Sequence, residues 1–175
     1  AAQTFAGRVH VIDSTSVTLG LGFQVLAAAE AVGRGAGLET TLALLNSLHS
    51  RSRVIAMLDT LEYIRRSGRI SWARARLGNL LRIKPFVEMY AGNVRSLGET
   101  RSRRKGIEHL KELLINQGPL ERLAVLHTNA EAEARQVLAE LSYQLASDPL
   151  VVNVTTIIGT HTGPNALGFA AIVRE

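Results

Sequence analysis

The chain of 175 residues has a globular composition, with 46% hydrophobic, 20% charged and 5% aromatic residues. A chain of this length buries roughly 70% of the surface that it exposes when unfolded, so one hydrophobic core can stabilise it. The absence of cysteine excludes a disulfide framework, a cysteine zinc site and a thiol nucleophile, and it fits a cytoplasmic location. We expect no transmembrane segment, because Ser, Thr, Asn, Gly or Pro interrupts the longest uncharged stretches.

The net charge of +5 is concentrated in one segment. Between Tyr63 and Lys111 there are 13 basic and 3 acidic residues, so this segment carries +10 and the rest of the chain carries −5. Such a segment can be a solvated basic face, a nucleic-acid surface or a dock for an acidic partner protein. Its aromatic residues Trp72, Phe86 and Tyr90 lie in apolar patterns typical of a core, which argues against a surface that stacks bases.

Hydrophobic periodicity predicts alternating strands and helices. For the first half of the chain the predicted elements are a strand at residues 8–12, a helix at 23–32 buried on most sides, a helix through Leu38 to Leu48, a strand at 53–58, and a short helix capped by Asp59 and stopped at Gly68. For the second half they are a helix at 71–81, a hairpin of 86–90 and 94–97, a helix capped by Ser102, a strand at 123–126, a helix capped by Asn129, and strands at 150–158 and 166–173. This order predicts one α/β domain, with α+β as the alternative, built on a mixed, mainly parallel sheet with helices on its faces.

The segment at residues 13–22, DSTSVTLGLG, concentrates hydroxyl groups and glycines between a predicted strand and a predicted helix. Free N–H groups at a helix start, together with the hydroxyls of Ser16 and Thr18, can bind an anion. Simple capping of the helix by either hydroxyl explains the same residues equally well. The glycine spacing is a poor dinucleotide fingerprint, because Val25 stands at the third glycine position.

A second loop is predicted at residues 159–164, GTHTGP, between two apolar strands. His161, flanked by Thr160 and Thr162, can offer an imidazole and two hydroxyls to one oxygen-rich group. The alternative is a turn whose histidine is solvated or bonded to the backbone. The other histidines show no metal-ligand spacing, and the chain has no Walker loop, GxSxG elbow or paired-carboxylate motif, so we expect neither a metal nor a cofactor.

Six motifs occur in a recognisable order: VIDS at residues 11–14 with SVTLGLG at 16–22, DTLEY at 59–63, GRIS at 68–71, LLRIKP at 80–85, RSRRK at 101–105, and GTHTGP at 159–164. In order and spacing they resemble the DegV family of bacterial fatty-acid-binding proteins over nearly the whole chain. Members of that family hold one long-chain fatty acid in an apolar tunnel between two domains, and some present its carboxylate to a separate fatty-acid kinase. The resemblance implies a carrier and not an enzyme, with residues 1–175 as a single domain equivalent to the C-terminal part.

The resemblance also implies roles for individual residues. It assigns the carboxylate contacts to Thr18, Ser16, Thr160, His161 and Thr162; the loop beside the ligand to Gly20, Gly22 and Gly163; and the kinase-docking surface to Arg101, Arg103 and Arg104. Thr18 stands where the family commonly has serine, Ser67 replaces a glycine, and Asn165 replaces a glycine in a turn whose left-handed backbone asparagine tolerates. The implied partners are a long-chain fatty acid and a fatty-acid kinase, with no nucleic acid and with transient contact to a membrane surface left open.

Two other classes of function compete with a carrier. A nucleic-acid-binding module would use the basic segment, and its affinity would fall steeply with salt. A Ser/His hydrolase would use the two hydroxyl-rich loops, but no acidic residue stands at a recognisable spacing to orient the histidine.

Overall fold

The computed structural model describes residues 7–68, 83–141 and 148–174 and shows one mixed sheet with helices on both faces. The described helices are α1 (Thr18–Gly33), α2 (Leu38–Arg51), α3 (Glu62–Arg66), α4 (Arg103–Ile115), α5 (Glu131–Leu141) and α6 (Thr156–Thr162). The described strands are β1 (Ser52–Met57), β2 (Lys84–Tyr90), β3 (Asn93–Thr100), β4 (Leu120–His127), β5 (Leu150–Asn153) and β6 (Leu167–Val173). The helix predicted at residues 71–81 lies outside the described residues.

The six described strands form one sheet in the order β3-β2-β1-β6-β4-β5. The mixed sheet with flanking helices is confirmed, but the expectation that it is mainly parallel is wrong, because only β4 and β5 pair in parallel. The last strand, β6, inserts between β1 and β4 and runs antiparallel to both. An alternation of apolar strands and helices is the same for either direction of pairing, so the sequence pattern does not distinguish them.

The two faces of the sheet are covered by different helices. Ile55 and Met57 of β1 pack with residues of α4 and α5 on one face. Val54, one position away and therefore on the opposite face, packs with Phe23 of α1 and Leu48 of α2. The small helices α3 and α6 contact each other.

The predicted strand at residues 8–12 is absent from the structure. These residues are exposed and have no strand assignment, and Val11 is 81% exposed. A β-branched run favours extended backbone, but a strand also needs a neighbouring strand for its backbone hydrogen bonds, and no described strand pairs with this run.

Helix α1 begins at Thr18, five residues earlier than the sequence indicates, so Gly20 and Gly22 are helical. The expectation of burial on most sides is wrong. Phe23 and Ala27 are buried against the sheet, whereas the outward face is exposed and includes Leu21, Val25 and Val32. One helix face covers the sheet, and the described residues provide no second layer over the other face.

Several local predictions are confirmed. The β2–β3 hairpin turns at Ala91 and Gly92, whose φ values of 46° and 76° are those of a type I′ turn. The Ser102 hydroxyl caps α4 by accepting a hydrogen bond from the Lys105 N–H at 3.4 Å. Gly68, at φ 69°, follows the end of α3 as expected.

Two predicted helix caps are wrong. Asp59 does not cap α3, since its carboxylate accepts hydrogen bonds from Lys84 and Arg103 instead. Asn129 lies two residues before the start of α5 with φ 52°, and its side-chain oxygen accepts a hydrogen bond from the Asn153 amide at 3.5 Å. In both cases a contact with a distant residue replaces the local cap.

The predicted strand at residues 150–158 is also divided differently. Strand β5 ends at Asn153, and the chain then forms α6, so the sequence GTHT belongs to a helical turn and not to a loop between strands. The last residue of β4, His127, pairs with Asn153, so β4 offers no backbone for a longer β5. The final strand is confirmed as β6.

Candidate ligand site

An apolar cavity of about 400 Å³ lies against the sheet face opposite α4 and α5. This volume falls within the range typical of small-molecule sites, about 300–1,000 Å³. Strand residues form its floor: Val54, Ala56, Val87, Met89, Leu126 and Gly168. The start of α1, the α3 residue Ile64 and the α6 residues Ile157 and Ile158 complete the apolar wall.

Small or medium-sized residues of three neighbouring strands lie in one row of the cavity floor. In register, Ala56 of β1 lies opposite Val87 of β2 on one side and opposite Gly168 of β6 on the other. Gly168 lets β6 approach β1 closely, because a side chain there would come within 2.5 Å of the Ile55 carbonyl oxygen and 2.9 Å of the Ala56 methyl, and all three residues of this row line the cavity. An extended apolar ligand can therefore contact the sheet along this row.

Two polar groups at the cavity are buried and have no hydrogen-bond partner among the described residues. They are the Thr18 hydroxyl oxygen Oγ1 and the His161 ring nitrogen Nδ1, and both residues line the cavity. A buried polar atom without a partner costs about 1–3 kcal/mol, and native structures contain few of them. Because Thr18 and His161 also line the cavity, their hydroxyl and imidazole groups are the candidates for contact with a polar group of a ligand there.

The backbone at Thr18 is strained in a way that is characteristic of functional positions. Thr18 has φ 50°, a left-handed conformation that is unfavourable for a β-branched residue. The preceding residue Val17 is the N-cap of α1 and provides no side-chain hydrogen bond to the helix start. The first turn of α1 thus places Thr18 in the lining of the cavity and has no side-chain cap.

The other three contacts predicted from the sequence, Thr162, Thr160 and Ser16, either have bonded hydroxyls or lie outside the cavity lining. Thr162 lines the cavity, but its hydroxyl donates to the Ile158 carbonyl at 3.2 Å. Thr160 is exposed, and its hydroxyl donates to the Ile157 carbonyl at 2.8 Å. Neither Thr160 nor Ser16 is among the residues that line the cavity. Of the five expected contacts, the structure therefore brings Thr18, His161 and Thr162 to the same cavity.

The three glycines expected beside the ligand do not line the cavity, and two of them have packing roles. A side chain at Gly20 would come within 2.5 Å of Val54, so this glycine lets α1 approach β1. A side chain at Gly163 would collide with the Tyr63 ring. Gly22 meets only the Leu19 side chain of its own helix. The cavity-lining glycines are instead Gly92 and Gly168, which are far from the glycine-rich motif in the sequence.

The turn after His161 contains the replacement of glycine by asparagine. Asn165 has φ 59°, which confirms that asparagine takes up the left-handed backbone there. Thr128, at the end of β4, also lines the cavity and is bonded to this turn. Sequence reasoning missed Thr128, and its position directly after a buried strand is the signal that could have indicated it.

The expected docking arginines differ in environment. Arg101 and Arg104 are exposed, and they form no ion pair with the described residues. Arg103 is half-buried and joins three parts of the chain: it forms a bidentate pair with Glu133 at 2.8 and 2.5 Å, and it also donates to Asp59 and to the Asn165 carbonyl. The bond to Glu133 raises the pKa of Arg103, and the same bond lowers the pKa of Glu133.

The aromatic residues of the basic segment do not form a stacking surface. Phe86 is buried in the core, as expected. Tyr90 is exposed, contrary to the expectation of a core position, and the Arg95 guanidinium covers its ring at 4.0 Å. Trp72 lies outside the described residues.

Within the part of the chain that the structure describes, no group of three or more His, Asp or Glu side chains is arranged to bind a metal ion. None of the helices in the described ranges is both long and apolar enough to cross a bilayer.

The fold and the cavity together define a mixed α/β domain with an apolar pocket that contains unpartnered polar groups. The family model for DegV, described as a family of uncharacterised proteins, matches residues 1–174. The chain belongs to the DegV family, which confirms the resemblance of its six motifs.

Curated relatives and solved structures agree with this assignment. A DegV domain-containing protein from Deinococcus radiodurans is 37% identical over 97% of the chain and 62% of the relative. Protein DegV from Bacillus subtilis is 35% identical over 91% of the chain and 59% of the relative. The chain therefore spans about three-fifths of the length of these curated relatives.

Two solved structures with the same fold are described as fatty-acid-binding. The DegV family protein from Thermus thermophilus matches with a TM-score of 0.85 and 34% identity, covering 99% of this chain and 64% of that one. DegV from Bacillus subtilis, described as a fatty acid binding protein, matches with a TM-score of 0.79 and 32% identity, covering 95% of this chain and 61% of that one.

Proposed function

We propose that this protein binds one long-chain fatty acid, with the acyl chain in the apolar cavity and the carboxylate at Thr18 and His161. The observation that carries the proposal is the pair of buried, unpartnered polar atoms, Thr18 Oγ1 and His161 Nδ1, at a cavity that is otherwise mostly apolar. A carboxylate offers acceptors for a hydroxyl donor and an imidazole N–H. The description of the Thermus and Bacillus relatives as fatty-acid-binding proteins supports the same ligand class.

The acyl tail and the carboxylate of such a ligand contribute differently to its binding free energy. Each buried methylene contributes about 0.8 kcal/mol, so a long acyl chain provides ample affinity without any polar contact. The carboxylate loses its hydration on entering the cavity and needs charge-assisted hydrogen bonds, each worth about 1.5–3 kcal/mol. The tail therefore sets the affinity, and the Thr18 and His161 pair selects an acid over other head groups.

We assign Thr18 and His161 the direct contacts and Thr162 a weaker one, because the Thr162 hydroxyl already donates to Ile158. Ser16 and Thr160 do not line the cavity, so contact between either residue and the carboxylate would require a movement on ligand binding. Gly20 and Gly163 act through packing, since they allow the close approach of α1 to β1 and of the α6 turn to Tyr63.

We further propose that the protein is a carrier without a cofactor that presents the carboxylate to a separate fatty-acid kinase in the bacterial cytoplasm. Arg101 and Arg104 are exposed cations, and this supports the proposal that the partner docks through an acidic surface. Arg103 is better explained as a structural residue, because its guanidinium donates hydrogen bonds to Glu133, Asp59 and the Asn165 carbonyl and so links three parts of the chain. The chain would act as one domain and contribute one wall of the family's tunnel.

The head-group assignment is tested with a matched pair of variants at Thr18. Thr18→Val removes the hydroxyl and keeps the β-branched shape, whereas Thr18→Ser keeps the hydroxyl. We expect Thr18→Val and His161→Ala to weaken binding of palmitic acid by about 10- to 100-fold, and Thr18→Ser to bind like the wild type. Extraction of the purified wild-type protein, followed by mass spectrometry, should release a long-chain fatty acid in stoichiometric amount.

Two results would contradict the proposal: wild-type protein that carries and binds no fatty acid, or a Thr18→Val, His161→Ala double variant that binds palmitic acid normally.

The docking surface has a separate test. Arg101→Glu with Arg104→Glu should reduce phosphorylation of the bound acid by the kinase and leave palmitic acid affinity unchanged. A loss of lipid affinity in that variant would count against a docking role.

A further inference from the structure

The turn that follows the histidine-bearing helix α6 is bonded on both sides to a single buried residue, Thr128. The Thr128 hydroxyl donates to the Gly163 carbonyl at 2.6 Å and accepts from the Ala166 N–H at 2.8 Å. The Thr128 N–H donates to the Ala166 carbonyl at 3.0 Å, and its carbonyl accepts from the Asn165 N–H at 2.8 Å. Side chain and backbone of Thr128 thus hold both ends of the turn.

The turn needs such support because its own backbone is irregular. Gly163 and Asn165 have φ values of 72° and 59°, so regular helical or strand hydrogen bonding stops there. Helix α6 has only seven residues and no side-chain cap at its start. Thr128, in contrast, directly follows β4, which is paired on both sides in the sheet. It connects a short helix without a side-chain cap to a strand that is paired on both sides.

We propose that Thr128 is a positioning residue for the carboxylate end of the cavity. His161 lies two residues before Gly163, so the direction of its imidazole depends on where the turn is held. Thr128 also lines the cavity, but its hydroxyl proton is already donated to Gly163, so it acts on the carboxylate through this turn and not as a hydrogen-bond donor to the ligand. The inference rests on the proposed binding of a fatty acid at His161.

Thr128→Val retains the shape of the side chain and removes both hydroxyl bonds. The Ala166 N–H then loses its partner, and the Gly163 carbonyl keeps only the 3.5 Å contact with the Thr162 hydroxyl. The turn then loosens, and His161 loses its fixed direction. Binding of the acyl tail, which depends on the strand residues of the cavity floor, is unaffected. The selective loss of head-group recognition distinguishes positioning from a general role in folding.

The experiment compares palmitic acid with hexadecanol, which has the same acyl length and no carboxylate, on the full chain. We expect Thr128→Val to reduce the preference for the acid by about 10-fold, with hexadecanol affinity within about 2-fold of the wild type. Thr128→Ser restores both hydroxyl bonds and should restore the preference. Thr41→Val is the matched control, since the buried Thr41 hydroxyl donates to the carbonyl of Gly37, the residue that precedes α2, away from the cavity.

An unchanged acid preference in Thr128→Val, or an equal loss of acid and alcohol binding, would overturn the inference. Wild-type protein with no preference for the acid would overturn the proposed function first. A second measurement needs no variant: in ligand-free wild-type protein, hydrogen exchange at the Asn165 and Ala166 amides should already be slow, because Thr128 holds both. Rapid exchange at these amides contradicts the role of Thr128 independently of any effect on folding.

Discussion

Replacement of Ala56 by leucine should shorten the space available to an acyl chain without disturbing the carboxylate end. Ala56 lies in the middle of the cavity floor, between Val87 and Gly168, and its side chain is only partly buried. The larger side chain can extend into the cavity and not into the packed core on the other face, which contains its neighbours Ile55 and Met57. We therefore expect the variant to fold normally.

The magnitude follows from the volume that leucine adds, which is equivalent to about three methylene groups of ligand. At about 0.8 kcal/mol for each methylene that is no longer buried, the affinity for a long-chain acid falls by about 2.4 kcal/mol. This corresponds to a dissociation constant about 50-fold higher. The loss should depend on chain length, because an acid too short to reach Ala56 loses no contact.

Isothermal titration with a series of saturated fatty acids measures this dependence. In the wild type, affinity should rise steadily with each added carbon; in Ala56→Leu it should stop rising about three carbons earlier. Ala132→Leu, at an exposed position on α5, adds the same side chain away from the cavity and should leave the series unchanged. Wild-type affinities for all chain lengths in Ala56→Leu would refute the placement of the tail in this cavity.

Two further predictions concern the supports of the site. Gly163→Ala should destabilise the fold by about 1–3 kcal/mol, because the added methyl collides with Tyr63 at a left-handed position; Gly118→Ala, also left-handed but in open space, is the control, and equal losses in thermal unfolding would contradict the collision. Glu133→Gln should cost up to about 1 kcal/mol at neutral pH by weakening the partly exposed pair with Arg103. Since the pKa of Glu133 is lowered on folding, this stabilisation is present above the ordinary glutamate pKa and is lost as pH falls through the lowered value. Denaturant unfolding at several pH values should show the difference between wild type and Glu133→Gln disappear in acid, and a constant difference would exclude the ion pair as its cause.

Thr18 and His161, the proposed carboxylate contacts, could be singled out from the sequence because their chemistry is local. A hydroxyl near the start of a helix and a histidine bracketed by threonines and glycines are candidates for an anion site before any fold is known, and the family resemblance supplied the ligand. The helical conformation around His161 could not be predicted from the sequence. Residues 150–158 have a strand-like composition, but β4 ends at His127, so the chain beyond Asn153 has no strand to pair with and forms α6.

The sequence by itself determined the periodicity of most helices and strands, the hairpin at Ala91 and Gly92, and the motifs that define the family. Only the tertiary structure decided the direction of the strands, the location of the cavity and the role of Arg103. Asp59 illustrates the physical reason. Its spacing to Glu62 is that of a helix cap, but Lys84 and Arg103, 25 and 44 residues away, provide charged partners that bind it more strongly than a backbone N–H. Periodicity and capping are properties of neighbouring residues, whereas a cavity or an ion-pair network depends on residues that only folding brings together.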